Sequence, residues 1–252
     1  VNHEFKDKVA LVTGGLRGLG KAIVLSLAKR GATVTINDIK ADNTEKQELL
    51  DQVKDLGGDG IFYQADVSNS KEVEEMFGII KDKYSKLDFL INNAGTSKSQ
   101  DIFQAEEEDW DEILDINLKS GFLCSKRAMD LMRWAGGGKI VFISSVVAHQ
   151  GALYGHVHYA ASKSGQLGLM RTLARTGAEF HINVNAVAPG IIDTELLRKI
   201  HNSEKIKELS KSVPLGLGNP EDIGEAVSFL CSGNAKYITG EVLNVNGGIY
   251  IN

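Results

Sequence analysis

Cysteine, proline and tryptophan are scarce in this 252-residue chain, with two, three and two copies. Cys124 and Cys231 are too few and too far apart for a disulfide framework or a thiolate metal centre, so both read as buried, reduced side chains. With three prolines and no low-complexity stretch, the chain offers no linker, and residues 1–252 read as a single domain. No period of roughly 20–50 residues recurs, which excludes a repeat array. No apolar run approaches the roughly 18–20 residues that cross a bilayer. VNHEFKDK passes directly into VALVTG, without the apolar core of a signal peptide. Basic charge is not in excess either: 28 Lys and Arg against 33 Asp and Glu, net −5, argue against a nucleic-acid or membrane partner. Together these absences predict a soluble, cytoplasmic protein that works on small molecules.

What the chain does contain is an alternation. Short β-rich runs (VALVTG, ATVTIND, GIFYQADV, LDFLINNAG, GKIVFISS, INVNAVAPG, EVLNVNGG) are separated by stretches with helical spacing, such as KAIVLSLAKRG, EKQELLDQVKDLGG and SKEVEEMFGIIKDKY. Near-continuous apolar strands that alternate with helices predict an α/β fold: a Rossmann-type, doubly wound sheet of about seven parallel strands with helices on both faces. Ligands of such sheets sit beyond the C-terminal strand ends, so the strand-to-helix turns carry the site.

The first such turn, VALVTGGLRGLGKAIV, reads T-G-x-x-x-G-x-G at Thr13, Gly14, Gly18 and Gly20. Gly14 permits the tight turn, Gly18 lets the backbone approach a pyrophosphate, and Gly20 allows helix and strand to pack closely. Phosphate would rest on the free N–H groups of the helix that follows, with Leu16, Arg17 and Leu19 in the same loop. Asp38 ends the second strand eighteen positions after Gly20, near the offset at which a carboxylate accepts hydrogen bonds from an adenosine ribose. Its charge favours NAD, whereas Arg17 could pair with a 2′-phosphate and so keeps NADP open.

The segment GALYGHVHYAASKSG, with Ser144, Ser145 and His149 just upstream, raises three readings: a Ser–His nucleophile, a His-rich metal site, or tyrosine–lysine chemistry. Tyr159 and Lys163 lie one helical turn apart on one face. A neighbouring ammonium, helped by the charge of an oxidised nicotinamide, is expected to lower the phenol's pKa and let it exchange a proton with an alcohol or ketone. Ser145 would polarise the substrate oxygen. Tyr154 has His158, not lysine, four positions on. FISSVVA is not the strained elbow of a serine hydrolase, and the histidines form no metal-ligand pattern, so no metal is expected.

Several segments together resemble the short-chain dehydrogenase/reductase family in its form of about 250 residues. The glycine motif matches, as do Asp66-Val67 at the end of the third strand and Asn92-Asn93-Ala94-Gly95 after the fourth. Asn117, Ser145, Tyr159 with Lys163, and Pro189-Gly190 complete the pattern. The resemblance implies a catalytic set of Asn117, Ser145, Tyr159 and Lys163. In it Lys163 also holds the nicotinamide ribose, and Asn117 supports a water that links Lys163 to solvent. It implies cofactor contacts at Asp66, Val67, Asn93, Ala94, Gly95, Pro189 and Gly190, with Ile192 and Thr194 fixing the nicotinamide carboxamide. It further implies a substrate lid over about 194–213 and a homotetramer paired through two long helices, expected near 107–133 and 158–177.

One departure is the spacing of Ser145, fourteen positions before Tyr159 where the family more often has thirteen, which leaves Ser144 as an alternative. Segments such as TSKSQD, AHQGALYGHVH and TELLRKIH are rich in hydroxyls, amides and imidazoles and point to a sugar, sugar-acid or polyol as the alcohol or ketone substrate. The alternatives are a 3-oxoacyl-(acyl-carrier-protein) reductase or general carbonyl reductase, and a catalytically silent dinucleotide-binding regulatory module. The carrier reading is weakened because RWAGGG is neutral immediately before Lys139, although Arg175 remains. His149, His156 and His158 border the expected pocket.

Overall fold

The seven apolar runs become seven strands in the computed structural model, which describes residues 3–152, 155–200 and 202–251. Tyr154 lies outside the described residues. The chain runs β1 (Val9–Val12), α1 (Gly18–Ala28), β2 (Thr33–Asp38), α2 (Asn43–Asp55), β3 (Asp59–Gln64), α3 (Ser70–Tyr84) and β4 (Phe89–Asn92). It continues through α4 (Glu107–Leu114), a π-helical turn (Asp115–Lys119), α5 (Ser120–Ala135), β5 (Gly138–Ile143), α6 (Val147–Gln150) and α7 (Val157–Gly177). It closes with β6 (Ile182–Pro189), α8 (Glu195–Ile200), α9 (Ser203–Ser212), α10 (Pro220–Cys231) and β7 (Val242–Val245). No helix among the described residues is long and apolar enough to cross a membrane.

The strands form one parallel sheet in the order β3-β2-β1-β4-β5-β6-β7. Side chains alternate between its faces. Ala10, Val12, Phe89, Ile91, Val141 and Ile143 face a core shared with α1, α2 and α10. Leu11, Leu90, Ile140 and Phe142 face a second core shared with α3, α5 and α7. Each layer rests on fully buried side chains such as Ile23, Leu27, Met76 and Ile80, and truncating one to alanine costs about 2–5 kcal/mol. Order reverses between β1 and β4, so the two strand-to-helix turns diverge there and open a crevice.

Local chemistry sets the helix ends. Asp42 accepts from Thr44 N–H at 2.8 Å to start α2, and Asn69 accepts from Lys71 N–H at 3.0 Å to start α3. Two features depart from the sequence reading. Asp66 and Val67 lie just past β3, which ends at Gln64. The first long helix extends from Glu107 to Ala135 but is interrupted by the π-turn around Asn117. Asn117 is fully buried, and the widened turn lets its amide reach neighbours on both sides.

Candidate active site

The crevice has a volume of about 790 Å³, within the range of roughly 300–1,000 Å³ of small-molecule and cofactor sites. Its floor is the pair of turns after β1 and β4. Thr13 Oγ1 accepts the N–H groups of Asn93 and Ala94, both at 3.0 Å, while Asn93 Nδ2 donates to the carbonyls of Thr13 and Gly14, both at 2.9 Å. The side chain of Asn93 is therefore a brace between the turns. Gly14 and Gly18 have φ of +60° and +53°, and a Cβ on Gly20 would lie 2.0 Å from the Gly14 carbonyl oxygen. Positive φ favours glycine at Gly14 and Gly18, and lack of space requires it at Gly20. Arg17, the N-cap of α1, makes no capping bond, which leaves the first-turn N–H groups of that helix available to an anion.

Leu16 is buried and does not line the crevice, and its N–H donates to Asp38 Oδ2 at 3.2 Å and ties the glycine loop to β2. Asp38 also accepts from Ile39 N–H at 2.9 Å, and its carboxylate stands on the crevice wall. Arg17 is paired with Glu45 of α2 at 2.5 Å, and that carboxylate raises the guanidinium pKa further. Asp66 accepts from the N–H and hydroxyl of Ser68 at 2.9 and 2.7 Å, and with Val67 it lines the same end of the crevice.

At the other end Ser144, Ser145, Tyr159 and Lys163 converge. Ser144 is turned away from the reacting position, since its hydroxyl donates to the Lys163 carbonyl at 2.9 Å. Ser145 and Tyr159 both face the crevice, and the Ser145 hydroxyl accepts from Val147 N–H at 3.3 Å. Between Ser145 and Tyr159 the backbone takes positive φ at Gly151, Gly155 and His156. Lys163 Nζ donates to the Ile143 carbonyl at 2.7 Å and lies 5.6 Å from the Tyr159 ring centroid. Burial pushes this ammonium down to about 8. Burial also pushes the phenol above its ordinary value, and the neighbouring Ser145 hydroxyl opposes this only in part. The expected lowering of Tyr159 by Lys163 is therefore corrected: with both groups withdrawn from water, desolvation penalises each charged form.

Asn117 is likewise not on the crevice wall. Its side chain accepts from Thr96 N–H at 2.8 Å and donates to the Thr96 carbonyl and the Ser162 hydroxyl at 2.9 and 3.0 Å. Its own carbonyl accepts from Gln166 Nε2 at 2.6 Å. A Cβ on Gly95 would lie 3.3 Å from Asn117 Oδ1 and 3.5 Å from Lys163 Nζ, so the NNAG turn passes directly over both. Ala94, Pro189, Gly190, Ile192 and Thr194 line the opposite wall and floor, and the Thr194 hydroxyl accepts from Leu197 N–H at 3.2 Å to start α8.

The sequence reading missed Ile39, Ala65, Ile116 and Ile143, which also face the crevice, whereas Thr96, Ser97, Glu195 and Lys199 fall within the segments TSKSQD and TELLRKIH that it named. Most of these adjoin a residue that was expected there, and adjacency is the one signal that could have found them. Of the histidines, His158 is fully buried and directed away from the crevice, and His149 stacks on Tyr250 with centroids 5.0 Å apart. His156 hydrogen-bonds Ser97 at 2.9 Å. Among the described residues no group of three His, Cys, Asp or Glu side chains gathers in a metal-binding arrangement.

The glycine cradle, the open helix N-terminus, the carboxylate on β2 and a crevice that runs on to a Ser–Tyr–Lys cluster fit an extended dinucleotide. Similarity to known proteins agrees. A family model described as enoyl-(acyl carrier protein) reductase matches residues 14–250. A 3-oxoacyl-(acyl-carrier-protein) reductase of Staphylococcus aureus is 39% identical over 247 residues, covering 97% of this chain and 98% of that protein. The protein of the same name from Thermotoga maritima is 37% identical, covering 98% and 99%. A crystal structure from Sinorhizobium meliloti 1021, described as a short-chain alcohol dehydrogenase, superposes with a TM-score of 0.92 at 32% identity over 99% of this chain and 98% of that one. The chain belongs to the short-chain dehydrogenase/reductase family, oxidoreductases that act on CH–OH groups with a nicotinamide dinucleotide.

Proposed function

We propose that the chain reduces the ketone of a 3-oxoacyl thioester to the secondary alcohol, with Tyr159 as the proton donor. The observation that carries the chemistry is the convergence of Ser145, Tyr159 and Lys163 on one crevice, with the Lys163 ammonium 5.6 Å from the Tyr159 ring centroid. The substrate class rests on the two relatives above, similar from end to end and both named for that reaction.

A bound nicotinamide dinucleotide supplies the hydride. Ser145 Oγ holds the carbonyl oxygen, and Tyr159 gives that oxygen its proton. A phenol raised by burial stays protonated at neutral pH, which suits the reductive direction. Lys163 holds the nicotinamide ribose, and Asn117 acts behind it by fixing the Thr96 backbone. The loop Gly14–Gly20 cradles the pyrophosphate, Asp38 takes the adenosine ribose, and Asp66 and Val67 border the adenine. Ile192 and Thr194 hold the carboxamide. We infer a preference for NAD because two carboxylates, Asp38 and Glu45, stand around the single guanidinium of Arg17. Helices α8 and α9 serve as the substrate lid, and the working enzyme is a homotetramer.

A second reading, a sugar or polyol as substrate, is favoured by the polar rim of Ser97 and His156 beside the Tyr159 ring. Nicotinamide absorbance with an acetoacetyl thioester, set against a panel of polyols and sugar acids, separates the two. Tyr159→Phe is expected to bind dinucleotide normally and lose turnover by about 10²–10⁴-fold. Normal turnover in that variant rejects the assignment.

A further inference from the structure

The mechanism leaves the two histidines of GHVHY without a task, yet their surroundings are specific. His158 directly precedes Tyr159, and its side chain is 0% exposed. His158 Nδ1 accepts the Tyr159 N–H at 2.9 Å. That bond fixes the tautomer, so Nε2 carries the hydrogen and donates to Gln100 Oε1 at 3.0 Å. The Gln100 amide is thereby oriented too, and its Nε2 donates to Asp109 Oδ2 at 2.7 Å. Asp109 is in turn paired with Lys98 at 2.5 Å. The Gln100 carbonyl accepts the Val157 N–H at 3.3 Å, and a Cβ on Gly155 would crowd the Gln100 backbone at 3.2 Å. His156, in the left-handed conformation at φ +60°, reaches the same loop through Ser97.

We propose that His158, assisted by His156, is a positioning residue that clasps the loop after β4 to the first turn of α7 and so fixes Tyr159 and Ser97 relative to each other. The inference rests on the reading of Tyr159 as the proton donor. A neutral imidazole suits the task because it accepts on one side of a rigid ring and donates on the other. An imidazolium has no acceptor and would direct an N–H at the Tyr159 N–H, so protonation opens the clasp. Burial holds His158 below its ordinary value; the Asp109 carboxylate opposes this, while His156 and Lys98 add to it. The charged and titratable groups that face the imidazole are therefore Lys98 and Asp109 from the loop and α4, with His156 and Tyr159 from its own segment. The neutral ring predominates above the ordinary value of about 6.5, and the clasp is lost as pH falls through the lowered one.

The first test uses the wild-type protein and needs no stable variant. Imidazole nitrogen NMR at neutral pH is expected to show His158 protonated on Nε2 and bare on Nδ1; the opposite tautomer overturns the clasp. His158→Asn keeps an acceptor for the Tyr159 N–H, breaks the link to Gln100 and does not titrate. It is expected to lower kcat about tenfold with the NADH Kd unchanged, and to lack the fall in activity at acid pH that the clasp predicts for the wild type. Gln100→Glu places a carboxylate against Nε2–H and is expected to move that fall to higher pH, a shift that general weakening of the fold would not produce. An unmoved acid limb in both variants overturns the proposal. Activity in Tyr159→Phe would instead reject the proton-donor assignment and leave the tautomer result standing.

Discussion

Two carboxylates around one guanidinium carry the proposed preference for NAD. Arg17 sits in the glycine loop, where a 2′-phosphate would need it, but Glu45 has claimed it and Asp38 stands beside it. Placing a phosphate dianion there costs repulsion that a ribose hydroxyl does not meet. Glu45→Gln is expected to tighten NADPH binding about three- to tenfold and leave NADH unchanged, as read by fluorescence titration. Asp38→Ala should move the ratio further in the same direction. A wild type that already binds NADPH far more tightly than NADH would show that Arg17 dominates the site. At this scale the sequence was informative about which residues gather and less so about their bonds. Asp38 and Arg17 are legible from motif spacing, whereas Glu45 is one acidic side chain among many until folding brings α2 against the glycine loop.

The π-turn between α4 and α5 is the element in which the site departs most from regular structure. It brings Asn117 between the NNAG turn and α7, and all the bonds of its amide are made to groups flanking the crevice. Asn117→Leu keeps the branching and heavy-atom count and leaves the half-buried Thr96 N–H and carbonyl without their side-chain partner. The expected cost is about 2–4 kcal/mol in denaturant unfolding, with turnover lost beyond what the change in stability explains. A variant as stable as wild type would mean that the turn is held by packing alone. Strands and long helices are legible because period and burial agree along them: Ala10 and Val12 face one core while Leu11 faces the other. The π-turn is not, since one extra residue shifts the apolar phase at a single point that period alone does not separate from a helix end. The partners of Asn117, Thr96 and Ser162, are distant in sequence. The same holds for His158 and Gln100.

Across the whole molecule, apolar surface is left over outside the crevice. Phe122 is 48% exposed, and beside it a shallow groove of about 250 Å³ runs between α5 and α7, bordered by Met129, Leu173 and Phe180. A homotetramer would cover such a face. Light scattering should show the assembled mass for the wild type, and Phe122→Glu should lower it to a smaller species; a monomeric wild type rejects the assembly. The seven-strand count is legible from the alternation, but the strand order is not, because alternation says nothing about which side of β1 receives β4. That order also sets a schedule for the ribosome. The Asn93 amide that closes the glycine loop bonds to Thr13, eighty residues earlier in the chain. A nascent polypeptide that has released only β1 to β3 has no competent nucleotide cradle. Dinucleotide in the cell can therefore stabilise this protein only after β4 has emerged, too late to guide the first half of the chain.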